Sequence, residues 1–380
     1  MSSRKIVITG GGTAGHTNPG IAVAEALVAR GWPREAVHFV GGKRGNESTL
    51  VPAAGFSIDL LSGRGIERKI SARSVTAVLG LVAGLGQGFW YVLTKRPAAV
   101  LCLGGYAAFA VSMAAVLLRV PVVVTEQNAR ASAVNRLIGR WTRVNALPFP
   151  DTDLPNGELT GNPTLAAVVD AVRAAERDEA RRQLDLPLDR VVVAVWSGSL
   201  GAASVNRATR ALAARWADRG DVSIRHVVGR RDWPDYQNPP ESVATAADGL
   251  HYQLIEYENQ MPLLLTAADL AICRSGASTV AELAIAGLPT VLVPLPGAPR
   301  DHQTANSAEL VEAGGAVLVP DGELSPERLA SELEPLLVDA DRRAVMRAAA
   351  ASVARPDAAL AVADLLLDAA GAAPAVEAAS

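Results

Sequence analysis

Short apolar runs recur along the chain, each followed by glycine or small polar residues and then by a stretch with helical spacing. The first unit runs Ile6-Val7-Ile8-Thr9 into Gly10-Gly11-Gly12-Thr13-Ala14-Gly15-His16, and apolar residues then recur at helical intervals from Pro19 to Ala29. About half-way along, Val191-Val192-Val193-Ala194-Val195 opens into Ser197-Gly198-Ser199-Leu200-Gly201-Ala202. The pattern predicts strands at 5–9, 37–41, 99–103, 121–125 and 144–147. In the second half it predicts them near 191–195, 223–228, 252–255, 270–273, 290–294 and 316–319. Strands alternating with helices imply parallel sheets covered on both faces, so the fold class is α/β. A glycine turn between strand and helix leaves backbone N–H groups for an anion. Two such turns suggest two similar domains facing a shared cleft, with room for one nucleotide diphosphate.

The length of 380 residues agrees with two domains. The segment 148–164 is rich in Pro, Asp, Asn and Gly and reads as the linker between them. The expected division is a first domain over 1–160, a second over 165–340, a terminal helix over 341–368 that could pack back on the first domain, and a frayed tail over 369–380. Two long stretches carry no charge, Ser74 to Thr94 and Pro97 to Leu118. The second breaks at Gly104-Gly105-Tyr106 into strand and helix. The first holds Phe89, Trp90 and Tyr91 and lies between Arg68, Lys69 and Arg73 on one side and Lys95 and Arg96 on the other. It reads either as a covering helix or as a helix lying in a membrane interface. A true span is not expected, because it would split one sheet.

Hydrophobic residues make up 49% and charged residues 20%, the balance of a globular chain. The two cysteines, Cys102 and Cys273, sit in apolar runs and read as buried free thiols, which excludes a disulfide framework. No leader precedes the first strand, so a cytoplasmic location is expected. The net charge of −3 hides an asymmetry. Residues 1–150 hold 17 Lys+Arg against 6 Asp+Glu, a balance of +11, and the rest holds 19 against 33, a balance of −14. A basic half suits an anionic partner, nucleic acid or anionic membrane.

Gly10, Gly12 and Gly15 fit G-x-G-x-x-G, a weak dinucleotide signal on its own. The second strand ends Gly41-Gly42-Lys43-Arg44 rather than in an acid, so only an NADP enzyme would fit. His16, directly after the loop, could accept a proton from a hydroxyl nucleophile beside a bound phosphate. The run Cys273-Arg274-Ser275-Gly276-Ala277-Ser278-Thr279-Val280-Ala281-Glu282 is a strand end, a small-residue turn and a helix start. Glu282 could grip two vicinal ribose hydroxyls, or simply favour the helix dipole. Asp301-His302-Gln303-Thr304-Ala305-Asn306 and Glu126-Gln127-Asn128 follow strands in the same way and fit a ligand crevice.

These motifs together resemble the MurG family of glycosyltransferases. GGGTAGHTNPGIAVAEAL, LGGYAA, TEQN, GNP, GSLGAASVN, CRSGASTVAELAIAGLPTVLVP and DHQTAN occur in family order over residues 6–306. The resemblance implies a GT-B fold, two Rossmann-like domains around a cleft. It implies an inverting hexosyltransferase that moves N-acetylglucosamine from UDP-N-acetylglucosamine to the muramoyl-pentapeptide pyrophosphoryl-undecaprenol lipid of peptidoglycan synthesis. No cofactor and no metal are implied. The partners implied are the sugar nucleotide, the lipid acceptor and an anionic inner-membrane surface, not nucleic acid. The location implied is peripheral, on the cytoplasmic face of the cell membrane.

Carried onto this chain, the family's donor contacts fall on Thr13, Ala14, Gly15, Asn128, Ser199, Glu258, Ala277, Ser278, Thr279, Val280, Ala281, Glu282 and Gln303. Here Glu282 serves the ribose, Gln303 the sugar, and His16 is the candidate for general base or for a transition-state contact. Three positions depart from the family: Leu165 replaces a usual arginine, Leu200 a usual glutamine, and Glu258 a usual hydrophobic residue near the base. Arg207 or Arg274 could supply the missing cation. A transferase with another lipid or natural-product acceptor, an NADP oxidoreductase and a non-catalytic sugar-nucleotide-binding protein are the alternatives.

Overall fold

The computed structural model describes residues 4–11, 14–43, 45–61, 73–244 and 248–372. The chain forms two compact units, one of residues 1–166 and 356–380, the other of residues 167–355.

The first unit is built on a parallel sheet of order β3-β2-β1-β4-β5-β6-β7. Its strands are β1 (Ile6–Thr9), β2 (Val37–Gly42), β3 (Ser57–Leu61), β4 (Ala99–Cys102), β5 (Val122–Thr125), β6 (Asn145–Leu147) and β7 (Gly157–Leu159). Its helices are α1 (Ala14–Ala29), α2 (Glu47–Ala53), α3 (Arg73–Lys95), α4 (Tyr106–Leu117) and α5 (Ala133–Ile138). Both faces of the sheet are buried, and the strand alternation divides the core in two. Ile6, Ile8, Phe39 and Leu101 join Val23 and Leu27 of α1 on one face. Val7, Val40, Val100 and Cys102 join Val111 and Ala115 of α4 on the other. Two strands carry little apolar signal. β3 is mostly exposed, and β7, an edge strand exposed throughout, lies inside the segment that reads as linker in sequence. Residues 157–159 therefore finish the first sheet, pairing with β6.

The second unit has a parallel sheet of order β10-β9-β8-β11-β12-β13. Its strands are β8 (Val191–Trp196), β9 (Val222–Val227), β10 (His251–Ile255), β11 (Leu270–Cys273), β12 (Thr290–Leu292) and β13 (Ala316–Leu318). After α6 (Ala166–Ala174), its helices are α7 (Arg177–Gln183), α8 (Ala203–Arg215), α9 (Glu241–Ala244), α10 (Met261–Ala267), α11 (Ala277–Ala286), α12 (His302–Glu312), α13 (Pro326–Val338) and α14 (Ala340–Ser352). Val193, Val195, Ile224, Ile272 and Val291 pack beneath α8 and α13.

The last helix, α15 (Ala358–Ala370), belongs to the first unit. Its Val362, Ala363 and Leu366 have no exposed surface and complete the core around α1. Arg30, directly after α1, holds Asp364 in a two-pronged contact of 2.8 and 2.9 Å. Leu165 is also spent on this core.

Helix α3 packs along α4. Over its described side chains, Tyr91 and Val92 face inward, while Phe89, Trp90 and Leu93 are 40%, 68% and 40% exposed. Among the described residues, no helix is long and apolar enough to cross a membrane.

Candidate active site

In each unit the glycine turn follows the strand where the order of strands reverses, β1 between β2 and β4, and β8 between β9 and β11. Ligands of open α/β sheets sit at this place, outside the carboxyl ends of the strands.

In the second unit, Trp196 of β8 stands in register with Cys273 of β11. The turns 197–201 and 274–276 therefore leave the sheet side by side. Gly201 has φ +79°, and a methyl group there would overlap the Val228 carbonyl. Only glycine lets the two backbones meet at this point. The Arg230 N–H then donates to the Ser199 carbonyl at 3.2 Å, and Ser199 itself stays exposed on the turn.

Beside it, α11 begins after Gly276, and no side chain caps its first turn. The amides of Ala277, Ser278 and Thr279 open the helix, where the dipole favours an anion. Ala277 and Val280 are buried, and Ser278, Thr279, Ala281 and Glu282 are half-buried along the same turns. Glu282 is half-buried as a residue, and its carboxyl is withdrawn from water. Desolvation raises it from 4.5 to about 7. Among the described residues none gives it a hydrogen bond, so its acceptor oxygens are left for a ligand's hydroxyls.

The third segment closes on the same place. Asn306 of α12 donates to the Ser275 carbonyl at 3.2 Å, and the Leu295 N–H donates to Gln303 Oε1 at 2.9 Å. The approach to α12 is strained, because Arg300 and Asp301 are both left-handed, with φ of 56° and 51°. Consecutive left-handed non-glycine residues persist only where their surroundings hold them, and they concentrate at functional sites. The structure therefore brings Ser199, Ala277–Glu282 and Gln303 together.

Arg274 is not a spare cation. Its guanidinium meets Asp321 at 2.7 Å, the Val293 and Pro294 carbonyls at 3.1 and 2.8 Å, and Ser204 Oγ at 3.0 Å. It staples the turn to its neighbours. Arg207 is exposed on α8. Glu258 is buried, and its carboxylate faces inward onto Arg225, so only its backbone is left to meet a ligand.

In the first unit, Thr9 pairs with Cys102, which lays Gly10 beside Leu103-Gly104. Thr13 lies outside the described residues. Ala14 opens α1, Gly15 is exposed and His16 is half-buried on the first turn. Asn128 is placed by Glu126, whose buried carboxylate accepts the N–H groups of Gln127, Asn128 and Ser132 at 3.0, 3.1 and 2.9 Å and the Asn135 amide at 2.8 Å. Several donors on one buried carboxylate fix a loop firmly. Both cysteines are buried free thiols, as their apolar surroundings suggest, and burial pushes Cys102 up to about 11.

Sequence reasoning misses Glu47. Its buried carboxylate accepts the Gly42 N–H at 3.0 Å, and a methyl on Gly11 or Gly41 would collide with this side chain. The glycines at 11, 41 and 45 make room for it. Their bunching before an acid at a helix start is the signal that could have found it.

The glycosyltransferase family 28 N-terminal domain matches residues 6–146, and the family 28 C-terminal domain matches residues 192–362. A UDP-N-acetylglucosamine–N-acetylmuramyl-(pentapeptide) pyrophosphoryl-undecaprenol N-acetylglucosamine transferase of Alkalilimnicola ehrlichii is 40% identical over 365 residues, 96% of this chain and 98% of the relative. A protein of the same name from Mycolicibacterium paratuberculosis is 38% identical over 96% of this chain and 88% of its own length. The crystal structure of Acinetobacter baumannii MurG superposes with a TM-score of 0.77 at 27% identity, covering 96% of this chain and 99% of that one. A UDP-N-acetylglucosamine 2-epimerase of Neisseria meningitidis, 13% identical with a TM-score of 0.65, shares the fold over 96% of this chain and all of its own.

Proposed function

The chain belongs to glycosyltransferase family 28, and from that membership we propose that it transfers N-acetylglucosamine from UDP-N-acetylglucosamine to the muramoyl-pentapeptide pyrophosphoryl-undecaprenol lipid of peptidoglycan synthesis. The single observation that carries this reading is the meeting of the uncapped α11 N-terminus, Glu282 and Gln303 at the carboxyl end of the second sheet.

The second unit holds the donor. The pyrophosphate lies on the amides of Ala277, Ser278 and Thr279 and on the turn at Ser199. Glu282, about one turn into α11, accepts from the ribose hydroxyls, and Gln303 meets the sugar. As the glycosidic bond to the leaving pyrophosphate breaks, negative charge grows on UDP. Fixed amides aimed at that charge stabilise it without reorganising. The first unit brings the acceptor. His16 takes the proton from the acceptor hydroxyl as that oxygen bonds to the anomeric carbon. General base assistance contributes about 10²–10⁴-fold, so His16→Ala lowers turnover by roughly that factor while UDP affinity changes less.

The acceptor's lipid requires a membrane surface, and the peripheral, cytoplasmic placement belongs to this reading. Phe89, Trp90 and Leu93 on α3 stand beside Lys95 and Arg96 in a half of the chain with a balance of +11. Each basic residue near an anionic surface contributes about 1 kcal/mol, screened by salt. Reversing Arg68, Lys69, Arg73 and Lys95 abolishes flotation with anionic liposomes, whereas unchanged flotation at low salt rejects this face.

The test of the whole reading is turnover. The purified chain transfers sugar from UDP-N-acetylglucosamine to the muramoyl-pentapeptide lipid in preference to other sugar nucleotides. Turnover with another sugar donor, or none with this acceptor, overturns the assignment.

A further inference from the structure

The turn joining β10 to α10 is held from beneath by a buried ion pair. Alternation along β9 sends Ile224 into the core under α8 and Arg225 to the opposite face. Arg225 Nε and Nη2 meet Glu258 Oε2 at 2.9 and 2.8 Å, and both side chains are nearly buried. Arg225 Nη1 donates to Gln253 Oε1 at 2.7 Å and to the Leu184 carbonyl at 3.0 Å. The second oxygen of Glu258 accepts the Gln260 N–H at 2.8 Å, where α10 begins. The turn is thereby fastened to β9, to β10 and to the end of α7.

Two opposite charges out of water are a costly way to hold a turn, and such pairs contribute orientation more reliably than stability. What the pair orients is a ledge. The Gly229 N–H donates to the Glu256 carbonyl at 3.0 Å, and the Arg230 N–H to the Ser199 carbonyl. The Arg230 guanidinium lies 4.5 Å from the ring centre of Tyr257, which is 38% exposed. The turns after β8, β9 and β10 thus run on from one another at the carboxyl ends of the strands. With pyrophosphate on the first of these turns, the nucleoside end of the ligand reaches the others. Main-chain N–H and C=O groups in one fixed conformation beside an aromatic ring are the groups that read the edge of a planar base.

We propose that Arg225, acting through Glu258, positions the 256–260 turn for recognition of the nucleotide base, which makes Arg225 a positioning residue for base discrimination. The inference rests on the UDP-sugar reading of the same site. Calorimetric titration of UDP, ADP and inorganic pyrophosphate into the full chain tests it. Arg225→Met lowers UDP affinity by roughly tenfold, the loss of one well-placed pair of hydrogen bonds, while ADP and pyrophosphate affinities stay within about twofold. The double variant Arg225→Met/Glu258→Leu removes both charges and restores most of the preference, since an apolar pair can replace a buried ionic one. Where Arg225→Met does not fold, Arg225→Lys keeps the charge, loses the planar fork and carries the same expectation with a smaller loss.

A preference for UDP over ADP carried unchanged through folded Arg225 variants overturns the inference. So does an equal fall for all three ligands, which means general loosening of the unit. A wild-type chain without preference for UDP overturns the donor reading and the inference with it.

Discussion

The two units place a glycine turn at the same point of similar sheets, yet they fill the space beneath it with opposite chemistry. In the first unit the carboxylate of Glu47 occupies the room made by Gly11 and Gly41. Glu126 draws five further donors onto itself. In the second unit the turn at Gly201 is packed backbone on backbone, the start of α11 is left uncapped, and the nearby Arg274 is neutralised by Asp321. A buried carboxylate repels a phosphate, whereas open amides at a helix start attract one. Strand, glycine turn and helix are therefore insufficient to mark an anion site. What fills the space under the turn decides.

The most severe way to break the comparison is to spoil the backbone contact of the second turn. Gly201→Val adds a branched side chain at a left-handed position against the Val228 carbonyl. It lowers unfolding free energy by about 2 kcal/mol or more and weakens UDP binding about a hundredfold, read by urea denaturation and calorimetry. Next comes Glu282→Ala, which weakens UDP binding at least about tenfold through lost charge-assisted bonds, with Glu282→Gln losing less. If Glu282 only favoured the helix dipole, the variant would melt earlier and bind UDP as before.

A third effect sharpens the role of Glu282 through pH. Its carboxyl is held at about 7, and ribose hydroxyls donate to the ionised form. Below that value binding must expel a proton, so UDP affinity falls by up to about tenfold per pH unit and levels off above about pH 8. Glu282→Gln removes that component of the slope, leaving only the titration of UDP itself. Stability has the opposite sign. A carboxyl raised on folding contributes fully below its unfolded value near 4.5, and the contribution is lost as pH rises through about 7. The smallest effect on nucleotide binding belongs to the first unit. Glu47→Gln costs about 1–3 kcal/mol of stability by weakening a buried charged acceptor, and it leaves UDP affinity within about twofold.

The sheets were legible because most strands are short apolar runs buried on both faces, which periodicity reports directly. β3 and β7 escaped because they are exposed over most of their length, and Gly157-Glu158-Leu159 follows a Pro-Asn pair that reads as loop. Glu282, Gln303 and Ser199 could be singled out because each lies in a segment that follows a strand end and carries a family motif. Glu47, Arg225 and Asp321 were not. Their partners lie far away in sequence, as Arg225 and Glu258 do, or are backbone groups whose direction no local pattern encodes.

The return of α15 into the first unit has a consequence for synthesis on the ribosome. The strands of the first sheet are complete by residue 159, but the helix that covers one face of it begins at residue 358. At roughly 5–20 residues per second, the chain carries that face incompletely covered for some ten seconds or more while the whole second unit emerges. The second unit, contiguous over residues 167–355, can fold as soon as it clears the exit tunnel. The first-made half of the protein is thus the last to be finished. A chain stopped after residue 355 would present the apolar flank of α1 to chaperones and proteases while its second unit stood folded.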